Sequence, residues 1–133
     1  QLIGAGRITY LNDTVRLEYA ENPGAFLSLG AQLPPETQRW VFIGFVTLLL
    51  LGMLIYALVE ADKMHIMMLV ALALFIGGGL GNLIDRVVND GRVVDFMNVG
   101  IGSLRTGVFN VADMAIMTGV GLIAIFGFRA EKK

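Results

Sequence analysis

Cysteine is absent from this 133-residue chain, histidine occurs once and charged residues make up only 16% of it. Each scarcity excludes something. Without cysteine there is no disulfide, no thiol nucleophile and no thiolate metal site. A charged fraction well below the roughly 25% of an ordinary soluble domain, with a mean hydropathy of +0.71, is membrane composition. Charge is also unevenly spread. Trp40 to Val59 and Ile66 to Ile84 carry none, and Phe109 to Phe128 carries only Asp113. Each run approaches the roughly 20 residues that cross a hydrocarbon core of about 30 Å, so three spans are expected, over 40–59, 66–84 and 109–128. Too little chain is left over to cover three such runs in a soluble protein.

Three spans fix a parity. The 1–39 strand and turn segment and an 85–108 loop share one face, side A, while the 60–65 loop and the 129–133 tail share the other, side B. Arg129, Lys132 and Lys133 crowd the short tail, and by the positive-inside rule this makes side B cytoplasmic. Before the first span the chain has a different texture. Thr14 to Ala20 alternates apolar and polar residues, as a strand with one covered face does. Asn22-Pro23-Gly24 is a turn signal, and Ala25 to Leu29 reads as the returning piece of a small sheet or hairpin on side A. Pro34-Pro35 breaks the chain before Trp40, an interfacial anchor.

The parity also removes chemistry. His65 and all three lysines, Lys63, Lys132 and Lys133, fall on side B. A Ser-His-Asp triad or a Ser-Lys dyad therefore has no base on side A, and a typical zinc site lacks its ligands. Carboxylates remain. Asp95, in Val93-Val94-Asp95-Phe96, and Asp113, four residues into the last apolar run, both lie at the side A edge. An ionisable group at membrane depth is a functional candidate by default. Two close carboxylates share a proton, so one can take a proton from water while the other donates to a scissile carbonyl oxygen. Asp113, near a positive helix end, suits the base and Asp95 the acid. The structural alternative is that Asn110 and Asp113 simply form a capping box.

Asn82 and Asp85 share a helix face beside Arg86, and read as a polar scaffold that orients the substrate backbone. The Gly77-x-x-x-Gly81 spacing signals close helix packing, the methionines are apolar filler and His65 is a solvated loop residue. The 97–108 segment, with Gly100, Gly102 and Gly107, reads as a loop able to fold over a substrate as a lid. A proton-relay or transporter component would also carry intramembrane aspartates, but it should show polar groups along the full depth of the membrane. Here the deeper parts of all three runs are apolar.

Four ordered segments carry a family resemblance: Asn22-Pro23-Gly24-Ala25-Phe26-Leu27-Ser28, Gly78-Gly79-Leu80-Gly81-Asn82-Leu83-Ile84-Asp85-Arg86, Gly91-Arg92-Val93-Val94-Asp95-Phe96 and Phe109-Asn110-Val111-Ala112-Asp113. Together they resemble lipoprotein signal peptidase, or signal peptidase II. The resemblance implies an aspartic endopeptidase of the bacterial cytoplasmic membrane, with its site at the extracytoplasmic, periplasmic face. It would cut diacylglyceryl-modified prolipoproteins just before the lipidated lipobox cysteine. By motif, Asp95 and Asp113 match the catalytic pair, and Asn22, Asn82, Arg86 and Asn110 the supporting polar positions; Asp85 joins them as a supporting candidate.

The same resemblance implies an all-α polytopic membrane protein with a small periplasmic β element, forming a single membrane-embedded peptidase domain over 1–133. No metal and no cofactor are expected. The expected partners are the lipidated substrate, membrane lipids and a globomycin-type cyclic peptide inhibitor, with no nucleic acid and a monomeric state. The family has four membrane helices, the first carrying an Asp and a Lys near its outer end; three are visible here, and the first would precede Gln1. A non-catalytic member that binds lipidated peptides is the remaining alternative.

Overall fold

The computed structural model describes residues 3–4, 6–23 and 32–127. Among them α1 (Pro35–Glu60), α2 (Ile66–Val88) and α3 (Val111–Gly127) correspond to the three expected spans. Pro35 opens α1, where its missing N–H costs nothing because first-turn donors are unpaired anyway. At 26 residues α1 is about 39 Å long at 1.5 Å per residue. α1 and α2 are long and apolar enough to cross a membrane, and α3 is a shorter apolar helix over its described 17 residues. A single 3₁₀ turn, Ala61–Lys63, joins α1 to α2.

α1 and α3 each run antiparallel to α2 and use it as a shared spine. Glycines allow this. A Cβ on Gly78 would collide with the Ala112 carbonyl and come within 2.8 Å of Ile116, while one on Gly79 would lie 2.6 Å from Leu50 of α1. From the other side, a Cβ on Gly119 would lie 2.7 Å from the Ala71 carbonyl oxygen. Such small-residue contacts let helix backbones approach where lipid supplies no hydrophobic drive between them. The expected Gly77-x-x-x-Gly81 pair is only half right: Gly77 faces open space, while a Cβ on Gly81 would lie a tight 3.3 Å from the Ala112 methyl. Spacing alone cannot say which of four neighbouring glycines faces a partner.

Outward, these helices are bare. Trp40 is 72% exposed, Leu48 71% and Leu58 71%, whereas among the described residues the buried apolar side chains are few: Leu50, Ala71, Leu72, Ile76 and Val93. A soluble protein could not leave so large a continuous apolar surface in water. Lipid is the solvent that fits.

Among the described residues the extramembrane part is a four-stranded antiparallel sheet of order β1 (Ile8–Tyr10), β2 (Val15–Asn22), β3 (Val93–Ile101) and β4 (Leu104–Arg105). The strand expected from alternation at 14–20 is β2, and Ala25 to Leu29 lies outside the described residues, as does the basic 129–133 tail. Two expectations are corrected. The 85–108 stretch is not a loop: α2 continues to Val88, and β3 and β4 follow as a hairpin on β2. The 97–108 segment therefore is no free lid, since Arg16 pairs with Asn98 and Val15 with Val99 across the sheet. Val93 and Asp95 are both buried while Val94 is half covered, so β3 lacks the clean one-face alternation that reveals a strand. β1, three residues long, carries no sequence signal.

A polar knot fastens the end of the sheet remote from the helices. Leu11, Asn12 and Asp13 take successive positive φ angles of 51°, 52° and 66°, a strained reversal for non-glycine residues. Arg105 grips it. Its Nε donates to Asn98 Oδ1 at 2.5 Å and its Nη1 to the Asp13 carbonyl at 2.8 Å, while Asn98 Nδ2 donates to the Thr106 carbonyl at 2.6 Å.

Candidate active site

The candidate site forms where the C-terminal end of α2, the first residues of β3 and the N-terminus of α3 converge. Two of these are pinned by local structure. Gly91 (φ 89°) and Asp90 (φ 52°) turn the chain out of α2 and into β3. Asn110 then begins α3 with a reciprocal cap: Asp113 N–H donates to Asn110 Oδ1, and Asn110 N–H donates to Asp113 Oδ2, both at 3.0 Å. The capping box expected as the structural alternative is therefore real. It occupies only Oδ2 of Asp113. Oδ1 accepts from Asn82 Nδ2 at 2.8 Å, so the carboxylate is fixed from two helices. Asp113 is the third residue of α3, shallower than its position in the apolar run suggests.

Asp95 is 3% exposed. Its Oδ1 accepts from Asn110 Nδ2 at 2.9 Å, and its Oδ2 faces Asn22 Nδ2 at 3.4 Å from β2. Asn110 Nδ2 also donates to Asn82 Oδ1 at 3.0 Å. One asparagine thus touches both aspartates, and a second, Asn82, closes the ring from α2. Burial pushes the Asp95 carboxyl above the usual carboxylate range, and the nearby Asp113 charge pushes the same way. Hydrogen bonds from Asn22 and Asn110, and the Arg86 charge, oppose the rise.

These groups open onto a cavity of about 260 Å³ lined on its polar side by Asn22, Asn82, Arg86, Asp95 and Asp113. Its apolar wall comes from α1, α2 and α3, with Val46, Leu49, Leu50, Phe75, Ile116 and Met117. The guanidinium of Arg86 stands 5.8 Å from the Phe42 ring centroid, within cation–π range.

The structure unites six of the seven expected site residues around or beside this cavity. Asn22, Asn82, Arg86, Asp95 and Asp113 line it, and Asn110 links the carboxylates from behind. Asp85 is the correction. It is absent from the lining and its Oδ2 instead accepts the main-chain N–H of Val94 at 3.1 Å, so it does not face a substrate backbone. His65 is also not a bare loop residue: its Nδ1 caps α2 by accepting from Met67 N–H at 3.2 Å, and its ring stacks on Phe126. The apolar wall escapes sequence reasoning, because nothing in sequence distinguishes Leu49 or Met117 from lipid-facing neighbours. No group of acidic and histidine side chains able to hold a metal occurs among the described residues.

Apolar helices bare to lipid, a sheet at one end and two carboxylates on a cavity between them define a membrane-embedded enzyme. Two solved chains share the fold over 96% of this one, each with a TM-score of 0.76. They are described as bacterial membrane enzymes determined by the in meso method at 2.3 Å and 1.9 Å, are 27% and 26% identical, and are covered over 74% and 76% of their own lengths. The family model for signal peptidase II matches residues 2–129. Lipoprotein signal peptidase of Photorhabdus laumondii is 40% identical over 91% of this chain and 68% of its own length. That of Syntrophus aciditrophicus is 35% identical over 88% and 71%. The chain belongs to the signal peptidase II family and is a membrane peptidase that removes signal peptides from prolipoproteins.

Proposed function

We propose that Asp95 and Asp113 are the catalytic pair of this peptidase. The observation that carries the reading is the convergence of both carboxylates on one cavity, with Asn110 hydrogen-bonded to each. Asp113, held as an acceptor by Asn82 Nδ2 and Asn110 N–H, takes a proton from water as it attacks the scissile carbonyl. Asp95, whose burial favours the neutral acid, gives its proton to the carbonyl oxygen. Collapse of the tetrahedral intermediate then returns a proton to the leaving amine.

The substrate is a prolipoprotein whose lipobox cysteine already carries diacylglyceryl, cut just before that cysteine. Its acyl chains stay in lipid while the peptide bond reaches the cavity at the extracytoplasmic face of the bacterial cytoplasmic membrane. The apolar wall on α1 and α3 suits the hydrophobic stretch of a signal peptide. Asn22, Asn82, Arg86 and Asn110 position the reacting groups. In this reading the chain acts as a monomeric, single membrane-embedded domain, the complete enzyme has four membrane helices, and a globomycin-type cyclic peptide competes for the cavity.

The test uses the complete enzyme in detergent or bilayers, with a diacylglyceryl-modified prolipoprotein and its unlipidated twin. Asp95→Asn and Asp113→Asn should each abolish cleavage in folded protein, and the double variant should be no worse than either, as residues acting as a unit are non-additive. The unlipidated twin should be a poor substrate. Substantial turnover by either single variant refutes the pair.

A further inference from the structure

We infer that Asp85 is a positioning residue that sets the orientation of Asp95 by clamping the main chain before it. The inference rests on Asp95 being catalytic. Asp85 lies in the last turn of α2, half-buried and outside the cavity. From there its carboxylate reaches nine residues along the chain, across the Asn89–Arg92 turn, and takes the Val94 N–H at 3.1 Å. The carbonyl of the same residue lies 3.3 Å from Asn110 Nδ2, a weaker shared contact because the two protons of that amide already serve Asp95 Oδ1 and Asn82 Oδ1. Val94 is thus held to α2 through its N–H, with the start of α3 close against its C=O.

The consequence follows from peptide planarity. The Val94 carbonyl and the Asp95 nitrogen belong to one rigid plane, and the Val94 N–H belongs to the plane before it. Fixing both planes fixes the Asp95 N–Cα bond, so the Cα–Cβ direction keeps only the rotation about that bond. β2 alone does not do this, because the register between β2 and β3 shifts between Leu17 and Ala20, just before the Ala20–Asp95 pair. A strand next to an irregularity can rock about its partner, and Asp85 ties it to a helix instead. A displacement near 1 Å at a reacting group costs on the order of a hundredfold in rate, so this tether belongs to catalysis as well as to folding.

The role requires an acceptor and not a charge, which makes it separable. Asp85→Asn keeps an acceptor oxygen at the same reach; Asp85→Ala removes it. With diacylglyceryl-prolipoprotein and the complete enzyme, Asp85→Ala should lower kcat by about tenfold to a hundredfold with KM changed less than about threefold. The Val94 amide should exchange faster with deuterium. Asp85→Asn should recover at least about a third of wild-type kcat, with unchanged limbs in its pH profile. Should the alanine variant not fold, Asp85→Ser, too short to reach Val94, takes its place.

Wild-type kcat in Asp85→Ala or Asp85→Ser overturns the inference, as does an asparagine variant as impaired as alanine or with a displaced pH profile, which would assign the effect to charge. Asp95→Asn is assayed alongside. If it turns over, the catalytic pair has failed. The Val94 exchange rates still show separately whether Asp85 holds the strand.

Discussion

Asn110 Nδ2 lies 2.9 Å from Asp95 Oδ1 while the main-chain N–H of the same asparagine holds Asp113 Oδ2 at 3.0 Å. A helix cap and a carboxylate bridge are one residue. Loss of the cap costs helix stability, and loss of the bridge costs geometry at the site.

Asn110→Ala removes both functions at once. It should destabilise the protein by about 1 kcal/mol, typical of a lost N-cap, and lower kcat by roughly a hundredfold. Asn110→Ser restores the cap but cannot reach Asp95. Thermal unfolding and cleavage kinetics should therefore part company in the serine variant, with stability recovered and activity not.

Asp95 carries a pH signature. Its folded-state pKa is raised above the unfolded value, so the favourable contribution of its neutral form is complete below the unfolded aspartate pKa of about 3.9. That contribution is lost as pH rises through the higher folded value. Asp95→Asn cannot ionise. The variant should be more heat-stable than wild type at pH 7, and the difference should close as pH falls below about 4. Parallel melting curves at all pH values would contradict this.

Arg105 should matter for the sheet and not for chemistry. Its fork holds Asn98 and the carbonyls of Asp13 and Thr14, acceptors that lie remote from the cavity. Arg105→Ala should destabilise by about 1–3 kcal/mol by stranding them. Lysine should restore little, having a point charge in place of a planar fork. Thermal unfolding of both variants checks this, with kcat of the folded fraction preserved.

Neighbouring glycines should behave oppositely. Gly78→Ala collides with the α3 main chain and should cost about 1–3 kcal/mol as overpacking. Gly77→Ala meets nothing and should gain roughly 0.5–1 kcal/mol from helix propensity. Unfolding in detergent distinguishes them.

What is legible in the sequence divides along physical lines. Spans announce themselves through missing charge, so α1, α2 and α3 follow from the charge pattern alone, with shifts only at their ends. Asp113 stands out for the same reason, as the lone charge in its run, whereas Asn22 and Asn110 are marked only by the motifs that carry the family resemblance. β3 does not stand out, because a strand covered on both faces has no alternation, and its first residues meet helices instead of solvent. Asp85 misleads for a subtler reason. Its helix face is plain from its spacing to Asn82, but which partner a carboxylate finds across a turn depends on the path of the turn, and Asp90 and Gly91 set that path.

The ring of Asn82, Asp95, Asn110 and Asp113 draws on α2, β3 and α3 in succession, and this has a meaning for biogenesis. During synthesis the chain presents α1, then α2 with Asn82, then Asp95 on β3, and the residues that complete the ring come last. Until α3 inserts beside α2, Asp95 lacks Asn110 and its partner carboxylate has no place. A half-inserted chain holds one aspartate and no paired site. On the proposed pairing, the order of the chain itself withholds the second carboxylate until α3 is in place.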